Sequence, residues 1–282
     1  MRSMFARDAL FSISALILSA IVVQFVYATV IRPRAEAILA LPAPPLAGES
    51  GVQSAPGSPG QPAVSARPTR NLRSVFVILK DYEQETALIL ACWALALIAH
   101  QARAVTRNRR LLSKDYVDVG EGRVVLPEDA RAYGRPLENL PKEEQDMLLP
   151  RALLVALNRF GATRSVQDSA EAVRGECENE LDRLDAQLSM VRFTAWAIPA
   201  VGFVGTVRGI GRALQEAQGA LHGDISGVTL GLGVTFNATL TALVACILVM
   251  FFLHQLQQAQ DRLVLDARLY IDRRLIRHMR VQ

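Results

Sequence analysis

The sequence predicts an all-α membrane protein with four transmembrane helices, and three observations carry that expectation. Hydrophobic residues fill 51% of the 282 positions and charged residues only 21%, with a mean hydropathy of +0.21. A water-soluble domain of this length usually carries more charge and a negative mean, so the composition argues against a soluble enzyme. The charges also avoid four windows: Ala9–Ile31 (23 residues), Thr86–Ala102 (17), Phe193–Val207 (15) and Ile225–Gln260 (36). The basic residues, finally, gather at one set of window ends: Arg2 and Arg7 before the first, Arg103 to Lys114 after the second, and Arg262 to Arg280 after the fourth.

A hydrocarbon core of about 30 Å takes roughly 20 helical residues. The first window spans outright. It has a rival reading as a signal peptide with Val26-Tyr27-Ala28 at the cleavage point, which would leave three spans. Its apolar run exceeds the usual signal length of roughly 7–15 residues, which favours an uncleaved anchor. The second window is nearly sufficient. The third spans if Leu188–Met190 extend it and Arg192 and Arg208 snorkel. The fourth, at about 1.5 Å per residue, is too long and should project beyond the membrane, with Gln255–Gln260 in water. The basic ends set the orientation of a multi-pass protein of the bacterial inner (cytoplasmic) membrane, with N- and C-termini cytoplasmic.

The chain therefore divides into an N-terminal transmembrane anchor (1–31), a Pro/Gly-rich periplasmic loop (32–85), a second transmembrane helix (86–102), a cytoplasmic helical region (103–190), a core of two transmembrane helices (191–260) and a cytoplasmic C-terminal helix (261–282). Residues 32–68 hold eight of the 13 prolines, which reads as a tether outside the membrane. Residues 103–190 hold 14 basic and 16 acidic residues. There Pro127, Pro136, Pro141 and Pro150 interrupt the first half. From Arg151 the pattern is helical, with Leu153, Leu154, Leu157 and Phe160 on one face. A second helix over 165–190 carries Ala172, Cys177, Leu181, Leu184 and Leu188 and runs into the third span. The helix over 261–280 offers Leu265, Leu269, Ile276 and Met279 as contacts. These long helices form cytoplasmic helical extensions. Cys92 and Cys246, inside apolar runs, read as small buried thiols.

An ionisable residue inside a membrane is the default functional suspect, yet the four windows contain no carboxylate. They contain hydroxyls and small residues instead. Gly202, Gly205 and Gly209 share one face of the third span, which permits close helix approach; Pro199 marks a kink. The fourth span carries Thr229, Thr235, Asn237, Thr239 and Thr241, with Thr235/Thr239 and Asn237/Thr241 paired by i,i+4 spacing. Such threonines either bond back to their own helix or line a route for water or an ion. Arg208 and Arg212 stand at the outer mouth, where they snorkel, repel cations or pair with a partner's acids. There is no nucleotide loop, metal cluster or catalytic constellation, so no enzyme activity, cofactor or nucleic-acid partner is expected.

The run Ala197–Ile210 (AIPAVGFVGTVRGI) closely resembles the third-span motif of the MotA/TolQ/ExbB proton-channel family, and Gly233–Leu243 (GVTFNATLTAL) resembles its following span. The likeness covers roughly residues 145–265. It implies a ring of five copies around the helices of two copies of a single-span MotB/TolR/ExbD-type partner with an intramembrane Asp, all embedded in membrane lipid. H⁺ or Na⁺ would be the transported ion. By motif position Thr206 and Thr239 would face that Asp, with Thr235 and Asn237 on the same pathway. Proton passage would turn the ring and drive the partner. The chain departs from the motif at Val234, where relatives carry an acid, and at Arg208, where many carry an aromatic residue. Asn237 is polar where several relatives are apolar. A reading from another class is a non-conducting membrane scaffold or sensor that recruits proteins through its cytoplasmic helices.

Overall fold

The computed structural model describes residues 2–40, 75–114, 116–117, 124–220 and 226–281. Among them the chain is helical throughout, with one isolated parallel bridge, Val125–Met279. The helices are α1 (Arg2–Val26), α2 (Arg32–Ala40), α3 (Val75–Ile78), α4 (Tyr82–Leu111), α5 (Ala130–Glu138), α6 (Lys142–Gln145), α7 (Leu148–Thr163), α8 (Val166–Gln187), α9 (Ser189–Ala220) and α10 (Ser226–Arg274). A π-helical turn, Tyr27–Ile31, joins α1 to α2, and a 3₁₀ turn, Ile276–His278, follows α10. Four helical stretches are long and apolar enough to cross a membrane: Ala9–Ile38, Tyr82–Leu111, Val166–Ala217 and Gly231–His278. The chain is a multi-pass membrane protein.

The helices run further than the charge-free windows. The first continues through Arg32 and Pro33 to Ala40, into the segment expected as outer loop; residues 41–74 of that loop lie outside the described residues. The third continues past Arg208 and Arg212 to Ala220. A charge ends the stretch that lipid tolerates, but it does not end a helix, because the backbone bonds are internal to the segment. α8 and α9 are separated only by Leu188, close to the uninterrupted helix expected.

The residues divide into two units: Met1–Trp93 with Trp196–Ile247, and Ala94–Ala195 with Leu248–Gln282. In the first, α1 and α2 bury a narrow stripe at fourfold spacing, Ala15, Ser19, Val23, Tyr27, Ile31 and Ala35. A strict fourfold repeat drifts around an α-helix, and the wider π turn resets the drift so that Tyr27 and Ile31 keep the same face. Val23, Tyr27 and Ile31 pack with Leu79, Leu88 and Ile89. Trp93 Nε1 donates to the Ser12 carbonyl at 2.9 Å. The rest of α1, including Leu10, Ile17, Ile21 and Phe25, is exposed apolar surface, as a lipid-facing helix requires. Cys92 turns outward and Cys246 is half-buried, so helical phase overrides the expectation of buried thiols there.

The second unit has an ordinary packed core. Leu148, Leu153, Leu157 and Phe160 of α7 pack with Val173, Cys177 and Leu184 of α8, with Val264, Ala267 and Ile271 of α10, and with Leu275 just after it. Pro150 does not interrupt α7: it stands in the first turn, where its missing N–H has no partner to lose. Pro136 likewise lies inside α5. Arg164, at φ 52°, turns the chain between α7 and α8, and the Ser165 hydroxyl caps α8 by accepting from Asp168 N at 3.2 Å. Arg151 reaches from α7 to Glu176 and, at 2.7 Å, to Glu180. Burial opposes the Arg151 charge, but the two carboxylates outweigh it and hold its pKa above the ordinary value. Of the expected contacts, Met279, beyond the end of α10, is buried, whereas Leu265 and Leu269 on α10 are 55% and 41% exposed. The buried stripe there runs one position earlier, through Val264, and Leu181 is exposed for the same reason of phase. The chain end is clasped by Val125 N donating to His278 O at 2.8 Å and Arg280 N to Val125 O at 3.2 Å.

Candidate functional site

α9 and α10 run antiparallel in the first unit and touch through residues with almost no side chain. A methyl group added at Gly202 would stand 2.6 Å from Ala242 Cβ, and one at Gly205 would stand 2.9 Å from Ala238 Cβ. At Gly209 it would fall on the Thr235 side chain, 3.0 Å from Cβ and 3.2 Å from the backbone Cα. At Gly231, on the facing helix, it would meet Ala213 Cβ at 3.0 Å. The advance along α9 from Gly202 to Ala213 is matched by an equal retreat along α10 from Ala242 to Gly231. Dispersion between close backbones holds such a contact where lipid supplies no hydrophobic drive. The three expected packing glycines are thus all at the contact. Pro199 lies half-buried inside α9, which continues through it.

The hydroxyls follow from the same register. Thr206, one residue past Gly205, lies against Thr239 with the two hydroxyl oxygens in hydrogen-bond contact. Thr206 Oγ1 also reaches the Gly202 carbonyl at 3.1 Å, and Thr239 Oγ1 reaches the same carbonyl across the helix pair at 3.4 Å. Each hydroxyl carries one hydrogen and two lone pairs. Two hydroxyls and one carbonyl therefore form a small cluster whose donor and acceptor roles exchange by rotation alone. Thr235 is different: 1% exposed, it donates back to the Gly231 carbonyl at 2.8 Å within its own helix. Asn237 is half-buried on another face of α10, so the structure does not bring it to Thr206 and Thr239. The side chain of Thr229 lies outside the described residues.

The structure brings a third helix, α4, to this contact through residues that stand just before its charge-free window. Glu83, in the first turn of α4, lies over Gly205; its Cγ would be 3.0 Å from an added methyl there. Its carboxylate accepts from Arg208 Nε at 2.7 Å. Arg208 therefore pairs within its own chain. Two residues on, Glu85 is 4% exposed and accepts from Arg32 Nη2 at 2.8 Å, with the Arg32 guanidinium 5.0 Å above the Tyr82 ring. The start of α4 thus ties α1–α2 on one side to α9 on the other. Arg212 is exposed. Burial pushes the Asp81 carboxyl above its ordinary range; Glu83 adds to this, and Lys80, Arg212 and Arg208 pull the other way. The signal for these acids was in the sequence: Asp81, Glu83 and Glu85 stand directly before the second window, at a helix N-terminus where carboxylates are favoured.

The segment that carries this contact also carries the family likeness. Residues 144–268, from just before α7 through most of α10, match the model of the MotA/TolQ/ExbB proton channel family. No curated protein and no solved structure matches the chain significantly. Over residues 144–268 the chain is therefore similar to the MotA/TolQ/ExbB proton channel family.

Proposed function

We propose that the chain is the ring-forming subunit of a proton or Na⁺ channel that uses the ion-motive force to drive a single-span partner of the MotB/TolR/ExbD type. The observation that carries the reading is the Thr206–Thr239 hydroxyl pair, placed at a glycine-lined helix contact inside the family-matched segment. The ring supplies hydroxyls, and an intramembrane Asp on the partner supplies the titrating or ion-binding group. Five copies surround two partner helices in the inner membrane. The basic ends of the first, second and fourth spans, with both termini and the second unit, face the cytoplasm. One elementary charge falling through about 100 mV releases about 2.3 kcal/mol, so each mechanical step draws on several ions.

Native mass spectrometry of the tagged protein, extracted gently from its host membrane, tests the assembly. Five copies with two of a small single-span protein carrying an intramembrane Asp support the reading. A monomer or dimer holding a soluble protein overturns it in favour of a scaffold. Thr239→Val tests the role of the hydroxyl: volume is kept, so the ring should assemble while ion-driven work is lost. Undiminished work in that variant removes Thr239 from the pathway.

A further inference from the structure

α4 gathers basic residues on one face where it leaves its apolar window. Arg103 follows directly on the charge-free run Thr86–Ala102, and Arg107 and Arg110 come four and seven residues later. That spacing puts the three guanidinium groups on one side of the helix, which runs unbroken to Leu111. All three residues are exposed. The buried residues of the same stretch, Ala94, Ile98 and Val105, lie on the other side. Ala99, one turn before Arg103 on the basic side, is exposed as well, so the face that meets lipid inside the bilayer continues straight into the arginines.

Few acids answer these charges. α4 itself carries no acid after Glu85. Arg107 reaches Glu143 of α6 at 2.7 Å, but both side chains are open to solvent, at 58% and 78% exposed. Lys114, just past the helix, reaches Glu144 at 3.3 Å. Arg103 and Arg110 form no ion pair among the described residues. The face is therefore net positive. A helical side chain leans toward the N-terminus of its own helix, and for these residues that direction is back toward the bilayer. Seven residues advance about 10 Å, and the polar layer beyond the hydrocarbon core is about 5–8 Å thick. Arg103 and Arg107 thus stand at headgroup depth, and Arg110 reaches back to its edge. The planar guanidinium fork matches phosphate oxygens two at a time.

We infer that the Arg103–Arg107–Arg110 face is a binding site for anionic phospholipid in the leaflet where α4 leaves the bilayer. Arg103 and Arg110 hold the headgroup phosphate, and Arg107 joins them on letting go of Glu143. A zwitterionic headgroup brings its own cation beside the phosphate, so an uncompensated basic face favours a headgroup with net negative charge. A nucleic acid or an acidic protein would need the same charges to point away from the membrane. The site rests on the span and its exposed face, not on the channel reading.

The test reads lipid preference locally. Ala99→Trp in the full-length chain places a fluorophore on the lipid side of the stripe, and the unsubstituted chain gives the background of Trp93 and Trp196. Both are reconstituted in dioleoyl phosphatidylcholine bilayers with increasing dibrominated phosphatidylglycerol or dibrominated phosphatidylcholine, and quenching of the added tryptophan is measured. Phosphatidylglycerol should bind there roughly fivefold or more tightly than phosphatidylcholine, and salt should weaken the preference. Arg103→Gln with Arg110→Gln, neither of which breaks an ion pair, should bring the two lipids to parity. Arg109→Gln, exposed on another face, should leave the preference unchanged. Glu143→Gln, which frees Arg107, should raise it. Equal quenching by the two lipids in the reporter chain overturns the site, and so does an undiminished preference in the double variant. A loss in Arg109→Gln as large as in the double variant overturns it too, because net charge alone would then explain the binding. Any of these failures leaves the channel reading standing.

Discussion

Arg208 Nε on α9 donates to Glu83 Oε1 on α4 at 2.7 Å, and the aliphatic part of Glu83 fills the space that Gly205 leaves. One glycine thus serves two neighbours, Ala238 on α10 and Glu83 on α4. The acid is well covered, with 11% of its side chain exposed, while Arg208 keeps 44% in contact with the surroundings. Solvent on the Arg208 side limits the pair to about 1 kcal/mol. Glu83→Gln is expected to lower the thermal unfolding midpoint by a few degrees, and Arg208→Gln should cost less in the Glu83→Gln background than alone. Strictly additive midpoints in that double-mutant cycle would remove the coupling.

Gly209 faces the Thr235 side chain and backbone so closely that no methyl group fits. Gly209→Ala should cost about 1–3 kcal/mol through forced separation of α9 and α10. The same substitution at Gly211, which has nothing within 4 Å of an added methyl, should be neutral or slightly stabilising. A comparison of detergent-solubilised melting curves for the two variants checks this, and equal midpoints would contradict it.

Thr235 and Thr239 are one turn apart but differ in what their hydroxyls do. The Thr235 hydroxyl is committed to its own helix at Gly231, whereas that of Thr239 meets Thr206 and the Gly202 carbonyl of α9. Thr206→Val and Thr239→Val should each abolish most ion-driven work, and the double variant should be no worse than either. Thr235→Val should retain most of it. Proton or Na⁺ flux in cells, normalised to membrane-inserted protein, is the readout.

In the second unit Glu180 takes a guanidinium bond from Arg151 at 2.7 Å and lies 3.6 Å from Arg183, with 8% of its side chain exposed. Removing Glu180 leaves Arg151, 28% exposed, with Glu176 alone, at a cost of about 1–3 kcal/mol. Glu180→Ala should therefore reduce folded yield. Arg151→Met with Glu180→Leu should recover most of it. A double variant no better than Glu180→Ala would show that the charges themselves are required.

Asp81 gives a pH dependence with a definite sign. Its carboxyl is raised above the ordinary value, chiefly by burial, so the folded chain holds the proton more tightly than the unfolded one. Its contribution is favourable while protonated and is lost as pH rises from the ordinary carboxylate range through the raised folded value. Asp81→Asn should remove that loss and raise the melting point at pH 7 relative to wild type, with the two chains converging in acid. A larger difference at pH 4 than at pH 7 would reverse the assignment.

Much of the contact between α9 and α10 was legible in the sequence. Gly202, Gly205 and Gly209 at helical spacing announce a close approach, and the threonine spacing on the fourth window places Thr235 and Thr239 near it. Asn237 was grouped with them because a span exposed to lipid is apolar on nearly every side, so its composition carries little information about phase. The same weakness put Leu265 and Leu269, rather than Val264 and Ile271, on the expected contact face.

What the sequence by itself determined is the number of apolar stretches, the four membrane-crossing helices and the absence of acids within those windows, because these depend on local composition against a fixed bilayer thickness. Tertiary structure decided the rest. It sent Glu83 to Arg208 and Glu85 to Arg32, and set Thr206 against Thr239. Those outcomes depend on the rotation of each helix about its own axis. That rotation is fixed only when neighbouring helices close to within a methyl group of one another.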